Sequence, residues 1–116
     1  MLEVGSSSGE MLATLKTELS VIDAEGFEPN IESAEAAKDK GLKVFTQFFT
    51  SDSVQPLKTK YDLVYSRHVI EHIFDFDDFF KATNMVSHDN TRLLIETPSL
   101  DWGIHHRSTI AFHIEH

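Results

Sequence analysis

Two hydrophobic periods alternate along the chain. Leu2 and Val4 flank Glu3 at strand spacing, whereas Met11, Leu12, Leu15 and Leu19 recur at helical spacing. Between them Gly5-Ser6-Ser7-Ser8-Gly9 carries almost no side-chain bulk. The pattern predicts a short strand over residues 1–4, a tight turn, and a helix over residues 10–19. A second strand ends at Phe27-Glu28, where Pro29-Asn30 stops it, and Asn30 is a fitting N-cap for the next helix. Residues 31–40 are rich in alanine and glutamate, with Lys38 and Lys40 at the C-terminal end and Gly41 just beyond. Residues 42–45 read as a third strand. Residues 50–60 are polar and contain Pro56, which suits a loop or a short irregular helix. Residues 61–66 make a fourth strand. Residues 75–86 make a helix with Phe76, Phe79, Phe80 and Thr83 on its buried side. A turn at residues 88–90 and a fifth strand over residues 92–96, ended by Pro98, complete the pattern. No strand is predicted after Thr97.

Strands alternating with helices in this way predict an α/β fold with a doubly wound, mainly parallel sheet. Right-handed crossovers give the strand order 3-2-1-4-5. The order reverses between strands 1 and 4, and ligands bind at such a reversal, outside the carboxyl ends of the strands. Three segments converge there: the turn over residues 5–9, Glu28, and residues 67–72. A strand passing through glycines into a helix also presents backbone N–H groups and a positive dipole end to a ligand.

Composition narrows the classes without choosing one. The chain has 116 residues, enough for a single domain with one core. The net charge of −9 opposes binding to phosphate backbones and anionic membranes, so neither nucleic acid nor a membrane is an expected partner. There is no cysteine, no long apolar run and no recognisable leader, which fits a cytoplasmic protein.

The chemistry is carried by a few residues. Glu28 lies 23 positions beyond Gly5, where an acid can accept from both hydroxyls of a ribose. A dinucleotide fingerprint, G-x-G-x-x-G, would need glycines at positions 7 and 10, where this chain has Ser7 and Glu10, and a glutamate there repels a pyrophosphate. After strand 4, His68 and His72 are the candidate proton acceptors, with Glu71 as an orienting partner or a structural cap. His68, Glu71 and His72 at helical i, i+3, i+4 spacing would also suit a first-row metal, although no metal is assigned. His105, His106, His113 and His116 in the tail fit either a substrate-side base or an ordinary polar segment.

Taken together, these residues resemble the class I S-adenosylmethionine-dependent methyltransferases. Glu3-Val4-Gly5-Ser6-Ser7-Ser8-Gly9 is similar to the family's E/D-x-G-x-G-x-G motif. Phe27-Glu28-Pro29-Asn30 resembles its acidic motif, residues 61–73 its strand-4 segment, and residues 93–98 its strand 5. The resemblance implies S-adenosyl-L-methionine as cofactor and transfer of its methyl group to a small-molecule acceptor, a sugar or metabolite. It implies that Gly5 and Gly9 line the methionine moiety with the backbone of Ser6 and Ser7, and that Glu3 orients the amino group. Glu28 would hold the ribose, with Pro29 and Asn30 flanking the adenosine. Phe49 or Phe48 would cover the adenine, and Arg67, His68 and Val69 would lie beneath the cofactor. Ser7 replaces the middle glycine, and a serine fits there with a negative φ. The usual strands 6 and 7 have no counterpart in the pattern and strand 1 is short. Residues 1–116 are therefore expected to form one truncated methyltransferase core, with strand 5 as a bare edge prone to self-association. Two other readings remain: a cofactor-binding fragment without catalysis, and a metal-dependent hydrolase using the histidines.

Overall fold

The computed structural model describes residues 1–18, 23–67, 75–101 and 104–113. Among the described residues ten elements follow one another: β1 (Leu2–Val4), α1 (Glu10–Glu18), β2 (Glu25–Phe27), α2 (Ile31–Asp39), β3 (Lys43–Phe45), α3 (Ser51–Val54), β4 (Tyr61–Arg67), α4 (Phe76–Met85), β5 (Ser87–Asp101) and β6 (Ile104–His113). The sheet order is β3-β2-β1-β4-β5-β6. Strands β1 to β5 are parallel, in the 3-2-1-4-5 order that the alternation predicts.

Both faces of the sheet are packed. On one, Leu2, Val4, Phe27, Val64, Leu93 and Ile95 meet Val54 of α3 and Phe79 and Ala82 of α4. On the other, Leu12 of α1 and Ala34 and Ala37 of α2 pack with Met1, Ala24, Leu42 and Val44. The helices begin where side chains can satisfy free N–H groups. Asn30 accepts from the Ser33 N–H, Thr50 and Ser53 form a reciprocal capping box, and Asp75 accepts from the Asp78 N–H. Helix α2 ends as its sequence predicts, with Gly41 at φ +83°.

Three expectations change. Phe76 and Phe80 are 49% and 42% exposed. The stripe that α4 buries is Phe79, Ala82 and Thr83, at i, i+3 and i+4, and Phe76 and Phe80 fall on its flank. Strand β5 is longer than expected and begins with a bulge. Tyr61 pairs with Ser87 but Leu63 with Arg92, and the residues predicted as a turn are the extra ones. The strand does not stop at Pro98, and the tail is not strandless. β6 pairs antiparallel with β5 from Arg92↔His113 to Asp101↔Ile104, so β5 is not the bare edge. With only two residues between Asp101 and Ile104, an antiparallel hairpin is the natural connection. Among the described residues β3 and β6 are the outer strands.

Candidate functional site

The turn after β1 is bound to the ends of the neighbouring strands. The N–H groups of Gly5 and Ser6 both donate to the Phe27 carbonyl, at 2.8 and 3.1 Å. The Glu28 N–H donates to the Phe45 carbonyl at 3.0 Å, which ties the end of β2 to β3. The Gly9 N–H closes the turn onto the Ser6 carbonyl at 2.9 Å, and the Gly9 carbonyl accepts from Ala13 to start α1. The N–H groups of Glu10, Met11 and Leu12 precede Ala13, the first intrahelical donor, so they stand at the positive end of the helix.

Each glycine of the turn has its own reason. Gly5 and Gly9 have φ of +78° and +82°, a region that side chains disfavour. A Cβ on Gly9 would also stand 2.5 Å from Leu42 Cδ1 and 3.0 Å from Ala37 Cβ, so its absence lets the turn pack onto α2 and onto Leu42 just before β3. Gly26 in β2 plays the matching part: a Cβ there would stand 2.5 Å from Ser6 Oγ. The Ser6 side chain is therefore buried against β2, and its Oγ has no hydrogen-bond partner.

Ser7 departs from expectation. Its φ is +51°, not negative, making it the one non-glycine residue with positive φ among the described residues. The Gly9–Ser6 closure places it at the first central position of a turn with Ser8 second, and the second has no positive φ. That is the sign pattern of a type II′ turn, which normally has glycine at its first central position. Its hydrogen-bond partner lies at the end of the neighbouring strand. The Ser7 N–H donates to Glu28 Oε1 at 2.9 Å, and Glu28 Oε2 accepts from the Asn30 N–H at 2.8 Å. On the other side of the loop, Lys40 Nζ donates to the Ser8 carbonyl at 2.7 Å.

The remaining predicted residues divide into three groups. Glu3 is 2% exposed, paired across the backbone with Gly26 and Tyr65, and lies on the face opposite Leu2 and Val4. Nearby, the buried Tyr65 donates its hydroxyl to Glu96 Oε2 at 2.6 Å. Pro29 and Asn30 follow Glu28 into α2. Phe49 packs edge-on against Phe27 and Phe79, with ring centroids 5.3 and 5.8 Å away, so its ring belongs to the core. Phe48 is 72% exposed, and Ile31, which sequence reasoning missed, is 70% exposed at the start of α2. Arg67 ends β4 opposite Glu96. His68, Val69, Glu71 and His72 lie outside the described residues, as does His116, whereas His105, His106 and His113 belong to β6. Among the described residues no group of three or more histidine, aspartate or glutamate side chains is placed to hold a metal ion. Nor is any helix there long and apolar enough to cross a membrane.

A parallel sheet reversing between β1 and β4, with a glycine turn and an acid at the adjacent strand ends, defines a doubly wound α/β domain with a crevice at the reversal. The model of a methyltransferase domain family matches residues 1–114, and the chain belongs to that family. Solved structures agree on the fold. The chain is similar to the plantazolicin methyltransferase BpumL, solved in complex with a triazolic desmethylPZN analog and SAH, at 13% identity and a TM-score of 0.74. The match covers 84% of this chain and 38% of that one. It is similar to a SAM-dependent methyltransferase from Archaeoglobus fulgidus at 24% identity and a TM-score of 0.70, covering 84% and 43%. A third is an S-adenosylmethionine-dependent methyltransferase from Clostridium acetobutylicum, at 19% identity and a TM-score of 0.70, covering 84% and 42%. The chain thus spans well under half the length of each of these. No curated protein matches it in sequence.

Proposed function

We propose that residues 1–116 form one domain that binds S-adenosyl-L-methionine and serves methyl transfer to a small-molecule acceptor in the cytoplasm. Family membership supports the reaction class. The observation that carries the ligand assignment is the Glu28 carboxylate, half-buried at the end of β2 and fixed by two backbone N–H groups, one of them from the glycine turn. Each of its oxygens keeps acceptor capacity for a hydroxyl, so the pair suits a vicinal diol. Exposed apolar side chains at Ile31 and Phe48 suit a flat base, and Phe48 takes this part in preference to Phe49. The acidic Glu3 suits a cationic amino group. The donor set therefore fits this cofactor better than a pyrophosphate-containing one, which the net charge of −9 also disfavours.

When bound, S-adenosylmethionine supplies an electrophilic methyl group on a sulfonium. The chain contributes alignment of the donor with the acceptor, the main protein contribution to such a displacement. Gly5, Ser6, Ser7 and Gly9 would hold the methionine moiety, Glu28 the ribose, and Pro29 and Asn30 the nucleoside. Arg67, His68 and Val69 would serve the reacting side. His68 and His72 are the groups to accept a proton from a hydroxyl or activated-carbon acceptor.

Calorimetric titration with S-adenosylhomocysteine tests this reading. Binding is expected for the chain, with Glu28→Ala weakening it at least ten-fold, roughly one charge-assisted hydrogen bond, and His105→Ala changing it less than two-fold. No binding at high micromolar concentration, or binding of NADH instead, overturns the assignment. Methyl transfer to an acceptor pool then separates an enzyme from a binding module.

A further inference from the structure

We propose that Glu28 is a positioning residue for the glycine turn as well as a ligand group: its carboxylate holds Ser7 in the left-handed conformation that the turn requires. The inference rests on the cofactor reading for its functional meaning but not for its physical test. Ser7 occupies, at φ +51°, a turn position that glycine normally fills. An L-residue is disfavoured there, so an isolated loop of this sequence would leave the conformation most of the time. The Ser7 N–H points at a carboxylate 21 residues away in sequence and donates to it at 2.9 Å. A hydrogen bond to a charged acceptor contributes about as much as the backbone conformation costs. Glu28 is itself held by the Asn30 N–H at 2.8 Å, at the N-cap of α2, so the clasp is anchored to a helix rather than to another loop.

The consequence is a turn shaped before any ligand arrives. One side chain both sets the floor of the crevice and presents its remaining lone pairs to whatever enters. Substituting Glu28 therefore removes two things at once, the contact with the ligand and the shape of the turn, and Ser7→Gly restores only the second.

Amide hydrogen exchange on the ligand-free chain reads the turn directly. The reporter is the Gly9 N–H, which donates to the Ser6 carbonyl across Ser7. Glu28→Ala is expected to speed its exchange about five-fold, the factor that corresponds to about 1 kcal/mol of left-handed cost. Glu28→Ala with Ser7→Gly is expected to return it to within two-fold of the parent rate. The Leu42 N–H, bonded to the Ala37 carbonyl, is the control and stays unchanged throughout. Glu28→Gln, whose single carbonyl oxygen can serve one amide well, gives an intermediate rate and provides a milder variant. The proposal is overturned if Gly9 exchange is unchanged in both Glu28 variants. It is also overturned if Ser7→Gly does not restore protection, or if Leu42 loses protection in parallel. In the affinity for S-adenosylhomocysteine, Ser7→Gly is expected to recover about five-fold of what Glu28→Ala loses. If no variant binds that ligand while the exchange pattern holds, the cofactor reading fails and the clasp stands.

Discussion

Gly9→Ala is the sharpest test of how the turn is packed, because two costs act there and the molecule contains a control for one of them. The first cost is conformational. Gly9 has φ +82°, and alanine in that region is disfavoured by about 1–2 kcal/mol. The second is steric. The new methyl would lie 2.5 Å from Leu42 Cδ1 and 3.0 Å from Ala37 Cβ; the leucine side chain can shift, but the Ala37 Cβ is fixed to α2 and must give with it. Overpacking of this kind costs about 1–3 kcal/mol. Gly41 has nearly the same φ, +83°, but nothing within 4 Å of where its Cβ would be, so Gly41→Ala carries only the conformational cost. Gly9→Ala is therefore expected to destabilise the chain by roughly 2–5 kcal/mol and Gly41→Ala by about 1–2 kcal/mol. For a domain of this size those losses correspond to falls in Tm of roughly 10–25 °C and about 5–10 °C. Urea unfolding followed by circular dichroism gives both free energies on one scale. Equal losses for the two variants would refute the claim that Gly9 is required by its contacts with Ala37 and Leu42.

Three further outcomes follow from particular contacts. Gly26→Ala is expected to cost about 1–3 kcal/mol through the clash with Ser6 Oγ and Cβ, at 2.5 and 2.7 Å. Adding Ser6→Gly should recover most of that loss, and no recovery in urea unfolding would show that the contact is not the cause. Asp78 is held below the usual carboxylate range, chiefly by the Ser51 hydroxyl and then by the Ser51 N–H. This stabilisation is present above the ordinary aspartate value and is lost as pH falls through the lowered one, so the stability curves of the parent and Ser51→Ala should converge in acid; parallel curves would refute it. The Tyr61 phenol is pushed up first by burial and then by its hydrogen bond to Glu25. Its contribution is complete below pH about 10 and is lost above it, so Tyr61→Phe should lower stability at neutral pH and flatten the alkaline decline. An unchanged alkaline limb would count against that account.

The glycine turn was legible because its small side chains leave few alternatives. The caps at Asn30 and Gly41 were legible because they act within a few residues. The roles of Phe48 and Phe49 were not. Both are phenylalanines after β3, and only contact with Phe27 and Phe79 commits Phe49 to the core. The α4 stripe erred for a related reason: four apolar or compatible positions fit a helical face, but the packed sheet buries only Phe79, Ala82 and Thr83.

The sequence by itself pointed to the order β3-β2-β1-β4-β5, one of the few arrangements that alternating periods and right-handed crossovers allow, and to a crevice at its reversal. Local chemistry carries that information. Only the tertiary structure decided that the tail returns as β6, that Ser6 turns inward against Gly26, and that Ser7 takes a positive φ. Each of these depends on a partner distant in sequence. The conformation of Ser7 is set by a carboxylate 21 residues away, which becomes its neighbour only when β1 and β2 pair.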